Sequence, residues 1–124
     1  MKANYKYLNL NPYKKKTGDC VIRATALGLD VDWHKASDIL YKQARGCGCE
    51  MSCLGCYSNL FKNLGFHKCD VSDEEITVGE LAKMYRDKRL IIRIKGHLTC
   101  AINSIVYDIW DCTDEIVDCF WEVA

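Results

Sequence analysis

The sequence predicts an α+β protein in which N-terminal helices pack on a C-terminal antiparallel β-sheet. Two observations predict this class. Apolar residues recur at helical spacing as far as about residue 85, and β-branched or aromatic runs of strand length follow from residue 90 onward. With 124 residues, 49% hydrophobic and 27% charged, the chain fits a single domain over residues 1–124.

The first predicted helix begins at Cys20. Residues 17–19 (TGD) offer turn and capping chemistry directly before an apolar run over residues 20–27. This run is apolar almost all round, which is typical of a buried central helix. We expect Gly28 and Asp30 to end it.

Three further helices are predicted from caps and periodicity. Asp32 caps the second, which ends before a cysteine- and glycine-rich segment at residues 46–56. The third has Leu54, Phe61 and Leu64 facing inward and ends at Gly65. The fourth is short and begins at a capping box formed by Thr77 and Glu80.

Four strands are predicted in the C-terminal third, at residues 90–94, 97–102, 105–111 and 116–123. Asn103 and Ser104 form a plausible hairpin turn between the second and third of them. Helices followed by strands favour an α+β arrangement with an antiparallel sheet.

The charge balance and the termini limit the partners that we expect. Lys+Arg and Asp+Glu both number 17, so the chain lacks the excess of positive charge that nucleic-acid binding requires. The N-terminus has no apolar core of signal-peptide length, and no segment is long enough to span a bilayer. We therefore expect a cytoplasmic protein without a membrane partner. In a reducing cytoplasm the nine cysteines are expected to be free thiols, metal ligands or catalytic groups rather than disulfides.

Cys20 is the candidate nucleophile. It opens a helix, where unpaired backbone amides and the positive end of the helix dipole stabilise a thiolate. The alternative is a buried cysteine that packs as a small apolar residue. The polar residues before it, 16–19, favour a thiol that faces a cleft.

His97 is the candidate general base. It follows Gly96 at the start of a predicted strand, and the next strand ends in acidic residues. His34 lies on the polar flank of an amphipathic helix, and His67 has no acidic residue in regular register with it. His97 is therefore preferred to both.

The acid that orients His97 depends on strand register. With a strict two-residue turn, Asp108 shares the face of His97 one diagonal step away. With a three-residue turn or one bulge, Asp111 lies directly opposite His97, where it accepts the imidazole N–H and holds the other ring nitrogen toward the thiol. We favour Asp111 because bulges are common beside active sites. Asp108 stays open as the alternative.

Three short motifs resemble the papain-like cysteine peptidase superfamily. They are GDCVIRA at residues 18–24, GHLT at 96–99 and YDIWD at 107–111. More narrowly, they resemble a group of small proteins, encoded by phages and mobile elements of Gram-positive bacteria, that carry GDCVxRA, GHxxAV and YDTWDS in the same order. The resemblance implies a papain-like fold with the nucleophile at the start of a central buried helix. It also implies that a cysteine, a histidine and an aspartate act as nucleophile, base and orienting acid, which register assigns to Cys20, His97 and Asp111.

The oxyanion hole departs from the pattern that the resemblance implies. Papain-like enzymes usually place a glutamine six residues before the nucleophile, and this chain has Lys14 there. Asn11, Asn9 or Lys14 is a candidate donor, alongside the backbone N–H of Cys20.

The segment at residues 46–56 carries four thiols in ten residues. Cys53 and Cys56 have the spacing of a zinc half-site, and Cys47 and Cys49 are a tighter pair. We consider a structural zinc ion held by these four residues, although zinc sites usually draw their ligand pairs from two separate elements. The alternatives are free thiols or a disulfide formed on oxidation. No cofactor is required for the proposed chemistry.

These observations favour a cysteine hydrolase that acts on a protein or peptide substrate as a peptidase, isopeptidase or amidase. The sequence does not distinguish hydrolysis from deamidation or acyl transfer. Two alternatives remain open: a catalytically silent binding protein of the same fold, such as a phage-encoded inhibitor of a host factor, and a cysteine-rich metal-binding module. Four aromatic residues are candidates for lining a substrate pocket: Trp33, Tyr57, Trp110 and Trp121.

Overall fold

The computed structural model describes residues 4–15, 18–71 and 75–123. This part of the chain contains four α-helices and six β-strands. The helices are α1 (Cys20–Leu29), α2 (Trp33–Cys47), α3 (Leu54–Asn63) and α4 (Val78–Met84). The strands are β1 (Tyr5–Tyr7), β2 (His67–Asp70), β3 (Arg89–Ile94), β4 (His97–Ile102), β5 (Ile105–Asp108) and β6 (Cys119–Glu122).

The strands form one six-stranded sheet in the order β1-β5-β4-β3-β6-β2. The mixed α+β class is thus confirmed, but the purely antiparallel sheet is not, because β1 runs parallel to β5. Strands β1 and β2 occupy the two sheet edges and were not predicted. They are three and four residues long and largely exposed, so they lack the apolar alternation that signals a strand.

Capping residues place the helix ends close to the predicted positions. The Asp32 carboxylate accepts a hydrogen bond from the Lys35 backbone at 2.7 Å at the start of α2. Thr77 and Glu80 form the expected capping box at the start of α4. None of the helices in the described ranges is both long and apolar enough to cross a membrane.

The third helix differs from the prediction in the residues that it buries. Phe61 is buried as expected, but Leu54 and Leu64 are 36% and 42% exposed. Leu54 is the first residue of α3 and Leu64 is its C-cap. Both therefore lie at the ends of this short helix, whereas its buried residues lie between them.

Two hydrophobic clusters occupy opposite faces of the sheet. Alternation along β3 separates them: Ile91 belongs to the cluster with α1 and α3, whereas Leu90 and Ile92 belong to the cluster with α4. The sheet is therefore covered by helices on both faces.

Helix α1 lies very close to the sheet at Gly28. A Cβ built there would come within 2.4 Å of the Ile91 side chain. Gly28 is therefore a buried packing position inside α1 and does not end the helix, whereas Asp30, also predicted to end it, is its C-cap in the left-handed conformation (φ 57°). This close packing fixes the axis of α1, and with it the position of Cys20 at its first turn.

Candidate active site

Cys20 and His97 are brought together from distant parts of the chain. Cys20 is the first residue of α1 and is half-buried. His97 is the first residue of β4, pairs with Ile94 across the β3–β4 hairpin, and follows Gly96, whose φ of 71° forms the turn. Cys20 and His97 line the same cavity, and the neighbouring His97 ring lowers the pKa of the Cys20 thiol. The structure thus places the predicted nucleophile against the predicted base.

His97 is oriented by Asp108. Its Nε2 atom lies 2.6 Å from Asp108 Oδ2, and both side chains are shielded from solvent, with 11% and 2% of their surface exposed. Because Nε2 is engaged by the carboxylate, Nδ1 is the ring nitrogen left to exchange a proton with Cys20.

The predicted pairing of His97 with Asp111 is wrong. Asp111 is exposed, and its Oδ1 accepts hydrogen bonds from the Thr113 backbone N–H at 3.0 Å and from the Thr113 hydroxyl. The reason is register. Asn103 and Ser104, with φ of 51° and 74°, form a strict two-residue turn that pairs Ile102 with Ile105. There is no bulge between the described residues of β4 and β5. Asp108 therefore shares the face of His97, as expected for a strict two-residue turn.

Asp108 accepts hydrogen bonds through both carboxylate oxygens. Besides His97, Arg23 Nη1 donates to Oδ1 at 2.9 Å and the Ile109 backbone N–H donates to Oδ1 at 2.7 Å. The Cys112 thiol donates a longer hydrogen bond to Oδ2, at 3.7 Å. The carboxylate is therefore held in one orientation from three directions, and its freedom to rotate away from His97 is small.

Arg23 connects Asp108 to the residue before the nucleophile. Its Nε donates to Asp19 Oδ1 at 2.8 Å, and its side chain and that of Asp19 are each 6% exposed. Asp19 also accepts from Trp33 Nε1 at 2.9 Å and from Asn11 Nδ2 at 3.1 Å. A buried series of alternating charges thus runs from Asp19 through Arg23 to Asp108, with His97 next to it.

Sequence reasoning missed the roles of Arg23 and Asp19. A signal was present, since Arg23 lies in a helix that is otherwise apolar almost all round, and a buried guanidinium requires a carboxylate partner. Asp19 sits four residues earlier, one helical turn away. The second partner, Asp108, is 85 residues distant and no local pattern indicates it.

These contacts shift the pKa values of the nucleophile and the base in opposite directions. Burial alone would raise the pKa of the Cys20 thiol, but the hydrogen bonds with His97 and the Leu98 backbone lower it below its ordinary value, and the charges of His97 and Arg23 add to this. For His97, burial acts to lower the pKa, yet hydrogen bonds with Asp108, Cys112 and Cys20 raise it to about 11. Both shifts act in the direction that favours a thiolate–imidazolium pair.

A cavity of about 270 Å³ opens onto Cys20 and His97. One wall comes from the start of α1 and the α2–α3 connection, and the other comes from the β3–β4 hairpin. The lining residues are Gly18, Cys20, Val21, Ser52, Leu54, Tyr57, Arg93, Gly96, His97 and Leu98.

The predicted oxyanion donors do not line this cavity. The Asn11 amide donates to Asp19, and its Oδ1 accepts from the Tyr13 backbone, so the buried side chain is fully committed. Lys14 is exposed and its Nζ donates to the Asn9 carbonyl at 3.3 Å. The Asp19 side chain makes no capping hydrogen bond to the first turn of α1. Of the predicted oxyanion donors, the backbone N–H of Cys20 is therefore the one that stays a candidate.

The four candidate aromatic residues have four different positions. Tyr57 lines the cavity. Trp110 covers the His97 ring, with ring centroids 5.1 Å apart, and is 41% exposed. Trp33 binds Asp19, and Trp121 is buried in the core. Trp110 thus shields the His97–Asp108 hydrogen bond from solvent without lining the cavity.

The cysteine segment does not present a metal-binding arrangement. Cys47 and Cys53 are exposed, Cys49 is half-buried, and Cys56 is fully buried on the inner face of α3. In the described ranges, the one group of three metal-ligand atoms within 4.8 Å of one another is formed by His97, Asp108 and Cys112. The segment's thiols therefore do not fit a zinc ion as they are placed.

The His97, Asp108 and Cys112 group is better explained by hydrogen bonding than by a metal. Asp108 Oδ2 already accepts from His97, and Arg23 places a positive charge on the other oxygen of the same carboxylate. A divalent cation would have to displace the His97 proton and lie near the buried guanidinium. We therefore assign no metal to these residues.

No protein-family model, curated protein or solved structure matches this chain. The function must therefore be inferred from the geometry of the site itself.

Proposed function

We propose that this protein is a cysteine hydrolase that cleaves an amide bond of a protein or peptide through a Cys20–His97–Asp108 triad. The observation that carries the proposal is the arrangement of Cys20 and His97 at one cavity, with His97 hydrogen-bonded to the buried Asp108 at 2.6 Å. Nucleophile, base and orienting acid are the three roles that this kind of catalysis requires.

The reaction follows from the protonation states. The Cys20 thiolate attacks the carbonyl carbon, and the C–S bond forms as the carbonyl electrons move to oxygen. His97 Nδ1 then gives its proton to the leaving nitrogen as the C–N bond breaks, which leaves a thioester on Cys20. Water attacks the thioester, His97 takes its proton, and the carboxylic acid is released with the thiol restored. An amine in place of water would give acyl transfer by the same steps.

The backbone supplies the oxyanion donor in this proposal. The N–H of Cys20 belongs to the uncapped first turn of α1, where amides point outward and the helix dipole favours negative charge. Asp108 keeps the imidazolium oriented, and Trp110 limits the access of water to their hydrogen bond.

A papain-like arrangement is part of the same proposal. Its support is the order of the parts: the nucleophile opens a helix packed on the sheet, the histidine opens a later strand, and the acid closes the next strand. The motifs at residues 18–24, 96–99 and 107–111 contain these three residues in that order.

Alkylation by iodoacetamide tests the proposal. At pH 6 and low stoichiometry, peptide mapping by mass spectrometry should show Cys20 modified ahead of the other eight cysteines, because its lowered pKa gives it a larger thiolate fraction than an ordinary thiol. In His97→Ala the rate at Cys20 should fall by about tenfold or more, since an ordinary thiol is largely protonated at this pH.

His34→Ala is the matched control, because it removes an imidazole that lies against Trp33 and Tyr13, outside the cavity lining. Equal Cys20 reactivity in the parent protein and in folded His97→Ala would rule out the hydrolase proposal and favour a binding protein. In that case the cavity would serve recognition without turnover.

A further inference from the structure

One charged residue other than the catalytic pair lines the cavity at Cys20. Among the described residues that form its walls, Arg93 is the single permanent cation, and no carboxylate is present. A substrate group placed beside the thiol is therefore near a guanidinium, and no carboxylate among the described lining residues competes for it.

Arg93 is oriented at the cavity by a hydrogen bond with Tyr57. It lies in β3 on the sheet face of Ile91, and its Nε donates to the Tyr57 hydroxyl at 3.0 Å. Tyr57 is 4% exposed and lines the same cavity. A buried tyrosine from α3 thus orients the planar fork of the guanidinium.

The remaining donors of Arg93 are available to a ligand. Its Nη1 pairs with Asp118, whose side chain is 53% exposed, and Nη2 has no hydrogen-bond partner among the described residues. Solvent-exposed ion pairs contribute little free energy, so an incoming carboxylate can exchange with Asp118 or bind beside it. Guanidinium groups bind carboxylates through two parallel hydrogen bonds.

The surroundings of Arg93 indicate where such a carboxylate would belong. Arg93 and Gly96 also line a second cavity of about 420 Å³ with Lys95, Ile116, Val117 and Asp118. Both cavities are lined by Arg93 and Gly96, so a substrate chain that occupied both would extend on both sides of Arg93. This favours an acidic side chain within the substrate over the carboxylate at its end.

We propose that Arg93 determines specificity by binding an acidic side chain of the substrate next to the bond that Cys20 attacks. The inference rests on the proposed hydrolase function. It makes a separate claim, because it concerns which substrate is favoured and not whether Cys20 is activated.

Two alkylating agents that differ in charge test the claim. The ratio of the Cys20 alkylation rate with iodoacetate to that with iodoacetamide should fall by roughly three- to tenfold in Arg93→Gln, as expected for the loss of one nearby charge. Arg93→Lys should retain most of the ratio. Lys62→Gln, an equal charge change on an exposed position of α3 outside the cavity lining, should leave it unchanged.

A second pair of probes distinguishes the source of the carboxylate. Acetylated peptide chloromethyl ketones with Glu or Gln next to the reactive carbon should modify Cys20 at different rates, with Glu faster, and the preference should disappear in Arg93→Gln. An iodoacetate preference without a Glu preference would overturn the side-chain assignment in favour of a terminal carboxylate.

An unchanged iodoacetate ratio in folded Arg93→Gln would overturn the proposal entirely. The iodoacetamide rate alone reports whether Cys20 is activated, so it tests the hydrolase proposal. The ratio of the iodoacetate rate to the iodoacetamide rate tests whether Arg93 binds a carboxylate.

Discussion

Cys20 and the cysteines of the 46–56 segment are the same residue type in opposite environments. The pKa of Cys20 is lowered, because hydrogen bonds and positive charges outweigh the effect of burial. The pKa of Cys56 is raised to about 12 by burial, a hydrogen bond with Cys49 and the neighbouring thiols. Both are at least partly buried, so burial alone does not decide whether a thiol becomes a nucleophile.

The difference lies in where the neighbours come from. Cys20 has partners from β4 and β5, far along the chain, and these bring an imidazole and a buried carboxylate to it. Cys56 has the other thiols of the segment as neighbours, and their proximity adds to burial in raising its pKa. We therefore expect Cys56 to be less reactive than Cys20.

The largest expected effect comes from Arg23, whose buried salt bridges join Asp19, next to Cys20, with Asp108. Arg23→Met should lower the free energy of unfolding by about 3–5 kcal/mol, because it leaves the buried carboxylate of Asp19 without its counterion and removes one of the two cations next to Asp108. Urea unfolding followed by circular dichroism measures this change. Both salt-bridge partners are less than one-tenth exposed, so screening by solvent is small.

Lys42→Met is the control for that substitution. Lys42 pairs with Asp38 one helical turn away, but both side chains are more than half exposed, so the change should cost no more than about 0.5 kcal/mol. If Arg23→Met were as stable as the control, the alternating charges from Asp19 to Asp108 would not stabilise the site. The difference between Cys20 and the cysteines of residues 46–56 would then not depend on these buried charges.

The next effect concerns the choice between two aspartates. Asp108→Asn should slow the alkylation of Cys20 at pH 6 by about tenfold, because an amide does not stabilise the imidazolium that keeps the thiol ionised. Asp111→Asn should leave the rate unchanged, since Asp111 bonds Thr113 and not His97. The reverse order would mean that β4 and β5 pair in solution with the longer turn.

Local signals were sufficient for the helices, the β4–β5 hairpin and two members of the site. The caps at Asp32 and Thr77 and the strand-like runs after residue 89 depend on near neighbours, and the structure has them close to the predicted positions. The exceptions are β5, which ends at Asp108 and not at residue 111, and β6, which begins at Cys119 and not at residue 116. Cys20 and His97 were also indicated locally, by a helix start and by a glycine before a strand.

What depended on register or on distant contacts was not predictable from one sequence. The preference for a bulge placed Asp111 opposite His97, whereas the two-residue turn at Asn103 and Ser104 shifts the pairing and selects Asp108. Strands β1 and β2 are too short and too polar to signal themselves, since their pairing at the sheet edges comes from the backbone rather than from apolar side chains.

The smallest expected effect tests the other side of the comparison. Simultaneous Cys47→Ser and Cys53→Ala substitution should change the free energy of unfolding by less than about 0.5 kcal/mol, because both thiols are exposed and Cys53 makes no capping hydrogen bond to α3. It should also leave the alkylation rate of Cys20 unchanged. Cys47 accepts one hydrogen bond from Gln43, an exposed contact that serine can replace.

Elemental analysis of the same two proteins, purified without chelator, completes the test. Neither should carry stoichiometric zinc, since no three sulfur atoms of residues 46–56 come within 4.8 Å of one another. Zinc near one equivalent in the parent protein, lost together with several kcal/mol of stability in the double variant, would show that the segment rearranges around a metal. The cysteines of the segment would then stabilise the fold by binding a metal. The molecule would have two specialised thiol sites, this one and Cys20.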